Sequence, residues 1–153
     1  MIPVPALRHS FTLLVELSAP IEMGQGRAGA RRIIPIVGGK ALGPDITGEV
    51  MNLGADWQTI FAGGAAHLDT RYAVRTDDGV VIEVINVGAR HGPADVMARL
   101  AAGEDVDPAS YYMRTAARLE TGDARYAWVN HMIFVCAGIR RASAVEIAYY
   151  AVE

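Results

Sequence analysis

Apolar and polar residues alternate with a period of two along most of the chain, and Gly, Asp and Pro cut the alternation into short runs. Successive side chains of a strand point to opposite faces, so such runs predict half-buried β-strands. Nine are expected, over residues 11–19, 31–37, 45–53, 58–61, 67–76, 80–88, 111–120, 126–137 and 144–152. Many short strands without a domain-sized linker suggest one antiparallel barrel or sandwich over residues 1–153. The barrel is preferred, because closure removes the unpaired edges that so many strands would expose. One short helix is expected where Pro93 suits a first turn, Val96 and Leu100 lie four apart on one face, and Gly103 stops the run.

Turn chemistry gives the strands provisional neighbours. Asp78-Gly79 predicts a tight two-residue hairpin, with Asp77 opposite Val80, Arg71 opposite Asn86 and Asp69 opposite Gly88. His67, Asp69 and Arg71 then share one face, and Leu68, Tyr72 and Val74 share the other. Both faces are half apolar, so the inward side stays open. A loop at Gly122-Asp123-Ala124 predicts Glu120 against Tyr126, Arg118 against Trp128 and Arg114 against Met132, and a slip of one residue reverses every face. On the strand expected at 126–137, Tyr126, Trp128 and Asn130 would form one wall. A phenol, an indole and an amide each need a partner for the polar tip when buried, which is the layout of a ligand cavity. The other face, Ala127, Val129, His131, Ile133 and Val135, is largely apolar and predicts cover by the helix or by a second subunit, hence a homodimer or larger homo-oligomer.

Charge and composition narrow the partners. A net charge of -3 with scattered Lys and Arg argues against a nucleic-acid groove or an anionic membrane surface and leaves small molecules or proteins. The only cysteine, Cys136, sits in an apolar run, so no disulfide framework is expected and a reducing cytoplasm fits. Met1-Ile2-Pro3-Val4-Pro5 lacks the charged start of a signal peptide, and no run approaches the roughly 20 apolar residues of a membrane span. His9, His67, His91 and His131 are far apart, so no metal site is expected. The glycines of 38–44 lack the Lys-Ser/Thr ending of a nucleotide loop, and no nucleophile elbow occurs. No cofactor is expected.

Specific motifs add a resemblance. Gly38-Gly39, Gly43-Pro44 and Gly48 are followed by Gly54-Ala55-Asp56-Trp57, Leu68-Asp69, Arg71-Tyr72 and Thr76-Asp77-Asp78-Gly79. Tyr111-Tyr112-Met113-Arg114-Thr115, Leu119-Glu120-Thr121 and Tyr126-Ala127-Trp128-Val129-Asn130 complete the order. Across almost the whole chain this resembles the bacterial and fungal family catalogued as domain of unknown function 3237. The resemblance implies a lipocalin-like β-barrel, one domain per chain, that self-associates. It implies little chemistry.

The candidate chemistry follows from residue type. Asp56 beside Trp57 is either a pocket carboxylate or a turn aspartate. Asp69 and Arg71 are either an interior pair, in which Arg71 grips a carboxylate or enolate oxygen, or an exposed cross-strand pair. Tyr112 and Arg114 share a parity suited to an oxyanion site, and His67, on one face with Asp69, is a proton-transfer candidate. The expectation is a cofactor-independent acid–base enzyme, a cyclase, isomerase or lyase, acting on an aromatic, polyketide-like or hydroxycarbonyl metabolite that bears a carboxylate or ketone. Asp69, His67 and Asp56 would handle protons, and Arg71, Arg114 and Tyr112 would stabilise the oxyanion. Trp57, Asn86, Tyr126, Trp128 and Asn130 would hold the ligand. The alternatives are a carrier barrel without chemistry and a structural subunit.

Overall fold

The alternation becomes ten strands in a computed structural model that describes residues 1–153. These are β1 (Leu7–Leu17), β2 (Ile21–Gln25), β3 (Ala30–Leu42), β4 (Gly48–Val50), β5 (Ala55–Ile60), β6 (Ala66–Thr76), β7 (Val81–His91), β8 (Tyr112–Glu120), β9 (Phe134–Arg140) and β10 (Ala144–Val152). A helix α1 (Ala94–Ala101) follows β7, and 3₁₀ segments occupy Pro108–Ser110 and Ala124–His131. Every strand pairing is antiparallel. The ladder runs β1-β10-β9-β8-β7-β6, β4 and β5 share the position between β6 and β3, and β3 returns to β1. That circuit is a closed barrel of eight strand positions, as the strand count led us to expect. Strand β2 hangs on β3 alone, its five residues all exposed. Without a buried face it leaves no alternation to read. Gly54, at φ +87°, separates β4 from β5, and a Cβ there would run into the Arg71 carbonyl and Tyr72. Glycine thus lets β5 start hard against β6.

Inside, the strands interdigitate in two clusters. Phe11, Leu13, Tyr72, Ile82, Val84, Phe134 and Tyr149 belong to the larger one, each at most 2 % exposed. Phe11 stacks on Tyr149 with ring centroids 4.4 Å apart. The smaller cluster packs Val96, Met97 and Leu100 of α1 against Ala66, Leu68 and Met113. The helix forms where its start and stop signals place it, and covers that part of the barrel. No helix is long and apolar enough to cross a membrane.

Two local expectations are corrected. The β6–β7 turn has three residues, Asp77-Asp78-Gly79, with the Thr76 N–H donating to the Val80 carbonyl at 2.8 Å and Gly79 at φ +90°. Thr76 Oγ1 also accepts from the Val80 N–H, at 2.8 Å, and donates to Asp78. The extra residue moves the register by one, so Arg71 faces Ile85 and Asp69 faces Val87. The second correction concerns residues 124–131, which are 3₁₀ rather than strand. Asp123 caps the segment by accepting from the Arg125 N–H at 2.9 Å, and the Asn130 amide clamps both backbone groups of Thr121 at 2.9 Å. The segment packs inward: Val129 is 1 % exposed, and Tyr126, Trp128 and Met132 lie against the larger cluster. Strand β8 therefore pairs with later residues, Arg114 with Ala137 and Ala117 with Phe134. The apolar face proposed for Ala127 to Val135 does not exist as one surface, because Val129 is core while His131 and Ile133 are exposed.

Candidate functional site

The positions that alternate inward carry the site. Along β7 these are Ile82, Val84, Asn86, Gly88 and Arg90, along β9 Phe134, Cys136, Gly138 and Arg140, and along β5 Asp56 and Gln58. The space between the two clusters is not filled. It forms a cavity with apolar walls from Val15, Leu17, Ile34, Ile36 and Ile147. Its polar groups separate into two sets.

The first set is charged. Asp56, 8 % exposed, accepts from Gln58 Nε2 at 2.6 Å and from the Asp69 backbone N–H at 2.9 Å. Gln58 in turn accepts from Arg32 Nε at 2.9 Å. Burial pushes the Asp56 carboxyl above the usual carboxylate range, opposed by these hydrogen bonds and by the positive fields of Arg90 and Arg32. Arg90 is only 7 % exposed, and its Nε has no partner. Burial, then repulsion from Arg140 and Arg32, pulls its guanidinium down to about 10. Arg140 is lowered for the same two reasons, burial first and then Arg32. Three guanidinium groups thus act on one carboxylate through their fields without an ion pair to it, and one of them is buried with an unmade hydrogen bond. Such an excess is unfavourable in an empty interior and suits an anion.

The second set is neutral. The Tyr72 and Tyr149 hydroxyls are 2.5 Å apart, and Asn86 Nδ2 donates to the Tyr149 oxygen at 3.2 Å. All three residues are at most 2 % exposed, and Asn86 Oδ1 has no partner. Burial raises both phenols and pushes the neighbouring Cys136 thiol up to about 12. No three His, Cys, Asp or Glu side chains converge on a common metal position.

Of the residues singled out in the sequence, Asp56 and Asn86 line this cavity. Asn86 pairs across the ladder with Thr70, not with Arg71. His67, Asp69 and Arg71 take the outward positions of β6, where all three are exposed and Arg71 pairs with Glu83 at 2.8 Å. Only the Asp69 backbone reaches the site. Trp57 is 43 % exposed because its neighbours Asp56 and Gln58 take the inward positions. Tyr112 and Arg114 line a separate groove on the outer face, with the guanidinium 5.7 Å from the Tyr112 ring centroid. Tyr126 donates to Asp78 at 2.8 Å, Trp128 packs on Phe134, and Asn130 holds Thr121, so these three form part of the 3₁₀ plug. The residues that sequence reasoning missed are Arg90, Arg140, Arg32, Gln58, Tyr72 and Tyr149. A signal existed: Arg90 and Arg140 each end an alternating inward run.

A closed antiparallel barrel with a partly charged cavity defines the class of protein. The chain belongs to the family described as Protein of unknown function (DUF3237), whose model matches residues 5–152. It is 40% identical over 147 residues to an uncharacterised-family protein (UPF0311) of Rhodopseudomonas palustris, covering 96% of each chain, and 36% identical over 144 residues to one of Clostridium acetobutylicum, covering 94% of this chain and 91% of that one. Among solved structures, a conserved protein of unknown function from R. palustris superposes with a TM-score of 0.93 at 39% identity over the whole of both chains. A beta-barrel like protein from Acinetobacter baumannii gives 0.89 at 38%, covering 100% of this chain and 99% of that one. A structure described as an enzyme from Penicillium herquei gives 0.73 at 20% identity, covering 100% and 98%, which is a likeness of fold.

Proposed function

We propose that the cavity binds a small organic anion and that Asp56 exchanges a proton with it, as in a cofactor-independent isomerase, cyclase or lyase acting on an aromatic or hydroxycarbonyl acid. The observation that carries this reading is Arg90, buried among two further arginines with its Nε unpartnered. A carboxylate or enolate oxygen placed there would supply the missing acceptor and offset the local excess of charge. Asp56 belongs to the same cluster, and burial favours its protonated form more than an exposed aspartate would. A carboxyl tuned upward can donate a proton and take it back on one face of a bound substrate. The apolar wall would hold the carbon skeleton and exclude water.

The test uses phenylpyruvate, an acid that enolises. Deuterium exchange at its carbon next to the ketone, followed by NMR in D₂O, is expected to be accelerated by the protein, to fall at least 100-fold in Asp56→Asn, and to lose saturation in Arg90→Met. Binding of such acids without accelerated exchange, unchanged by Asp56→Asn, supports the carrier alternative. Absence of binding by any carboxylate or enolate overturns the site itself.

A further inference from the structure

The neutral end of the cavity carries its own specificity. Asn86 is 2 % exposed, and its amide nitrogen donates to the Tyr149 hydroxyl at 3.2 Å. Its nitrogen is thereby committed to Tyr149, and its Oδ1 is left buried with no partner, on a residue that lines the cavity. An amide nitrogen has no lone pair to offer, so the Tyr149 oxygen is the acceptor from Asn86. Tyr149 must then place its own single proton, and the neighbouring hydroxyl of Tyr72, 2.5 Å away, is the acceptor within reach. With that bond made, the Tyr72 proton is the one left over. Tyr72 and Asn86 both line the cavity, and Tyr149 does not. The wall therefore offers the occupant one free acceptor, Asn86 Oδ1, and one free donor, Tyr72 Oη–H.

We infer that this pair is a subsite for a neutral hydroxyl group of the ligand, alcohol, phenol or enol, which donates to Asn86 and accepts from Tyr72. The inference deepens the reading proposed above and rests on the cavity being a small-molecule site, though not on the anion. A ketone would satisfy Tyr72 and leave Asn86 Oδ1 orphaned, and an ether or halide would do the same. A carboxylate would meet the lone pairs of Asn86 with no proton to give. Asn86 and Arg90 stand four residues apart on the same face of β7, a rise of about 13 Å between their α-carbons. The two polar ends are thus separated by the apolar wall, and the substrate class that fits is a hydroxylated organic acid with its hydroxyl remote from its anionic group. Tyr149 acts as a positioning residue: it touches no ligand, and fixes which atoms Asn86 and Tyr72 present.

Isothermal titration with 4-hydroxyphenylacetate, phenylacetate, 4-methylphenylacetate and 4-carbamoylphenylacetate tests the assignment, with phenol and anisole as uncharged counterparts. The hydroxyl is expected to tighten binding about tenfold or more over the unsubstituted and methyl acids, because their binding leaves buried Asn86 Oδ1 unpaired. Phenol is expected to bind more tightly than anisole by a similar factor. Asn86→Leu should bring the ratio to within twofold while acid binding still depends on Arg90. Tyr72→Phe, which deletes one oxygen, should reduce the ratio by about threefold or more, and decides the matter should Asn86→Leu not fold. Equal affinities for the hydroxyl and methyl acids overturn the inference and leave the anion reading standing. Tighter binding of the carbamoyl acid overturns it in favour of an amide. Preference for phenol over anisole without any binding of acids sustains the hydroxyl subsite and removes the anion reading, and no binding of either removes both.

Discussion

Replacing Arg90 by Met separates a binding group from a structural one. The guanidinium is pulled below the ordinary arginine range to about 10 by burial and by two neighbouring arginines. A base whose folded pKa is depressed is held in its charged form at a cost, present at every pH below the folded value and fading only as pH rises above about 10 towards the ordinary arginine range. The size of the fall corresponds to about 3 kcal/mol. Methionine keeps the length and apolar stem and removes the charge and the unpartnered Nε. The ligand-free variant is therefore expected to be more stable than the wild type at pH 7, by about 2–3 kcal/mol, which moves a urea midpoint up by about 1–2 M. A saturating organic anion should reverse the order. At a hundred times Kd it adds about 2.7 kcal/mol to the wild type and nothing comparable to the variant. Equilibrium unfolding with and without ligand measures both arms. A variant that unfolds earlier than the wild type, with an unchanged denaturant slope, would show that Arg90 is satisfied within the fold and needs no anion.

Other perturbations probe the remaining parts. Burial raises the Asp56 carboxyl, so its contribution is most favourable below the unfolded carboxylate range and is lost as pH rises through the folded pKa. Asp56→Asn should raise stability at pH 7 and flatten the pH dependence of the urea midpoint from pH 4 to 7, and a steeper dependence refutes the assignment. Tyr149→Phe removes the hydroxyl that joins Tyr72 to Asn86 in a fully buried position and should cost about 1–3 kcal/mol in unfolding experiments. Tyr126→Phe, which loses a more exposed bond to Asp78, should cost about 0.5–1 kcal/mol. His67→Ala and Arg71→Ala lie outside the barrel and should leave ligand affinity by titration within twofold; a tenfold loss would place the site on the outer face.

The barrel was legible because closure depends on a signal that sequence carries well: repeated alternation with turn residues between the runs. Helix α1 was legible from Pro93, the Val96–Leu100 spacing and Gly103. Strand β2 was not, since it buries nothing. The site was legible only at Asp56 and Asn86. The face of β6 that Asn86 joins hid behind a choice of one residue in the β6–β7 turn, where Asp78-Gly79 reads as a two-residue hairpin, yet Thr76 closes a three-residue loop with its own hydroxyl. That single residue moves Arg71 and Asp69 off Asn86 and Gly88 and puts Thr70 and Leu68 opposite them instead.

The Tyr126, Trp128 and Asn130 pattern failed for a different reason. Alternation at period two is diagnostic of a strand only when the backbone finds a ladder, and here Asp123 and Asn130 satisfy the backbone locally, so a 3₁₀ plug wins. Polar tips in an apolar run marked buried groups needing partners, and the Tyr126 and Asn130 tips found theirs in Asp78 and Thr121. A binding site is marked instead by buried groups that do not find partners. Arg90 Nε and Asn86 Oδ1 are the only buried side-chain polar atoms left unbonded, and both belong to residues that line the same cavity. In a close-packed protein each such atom costs about as much as a lost hydrogen bond. Two on one wall, one on a cation and one an acceptor, therefore describe an occupant by its complement: an anionic oxygen at one end and a proton donor at the other.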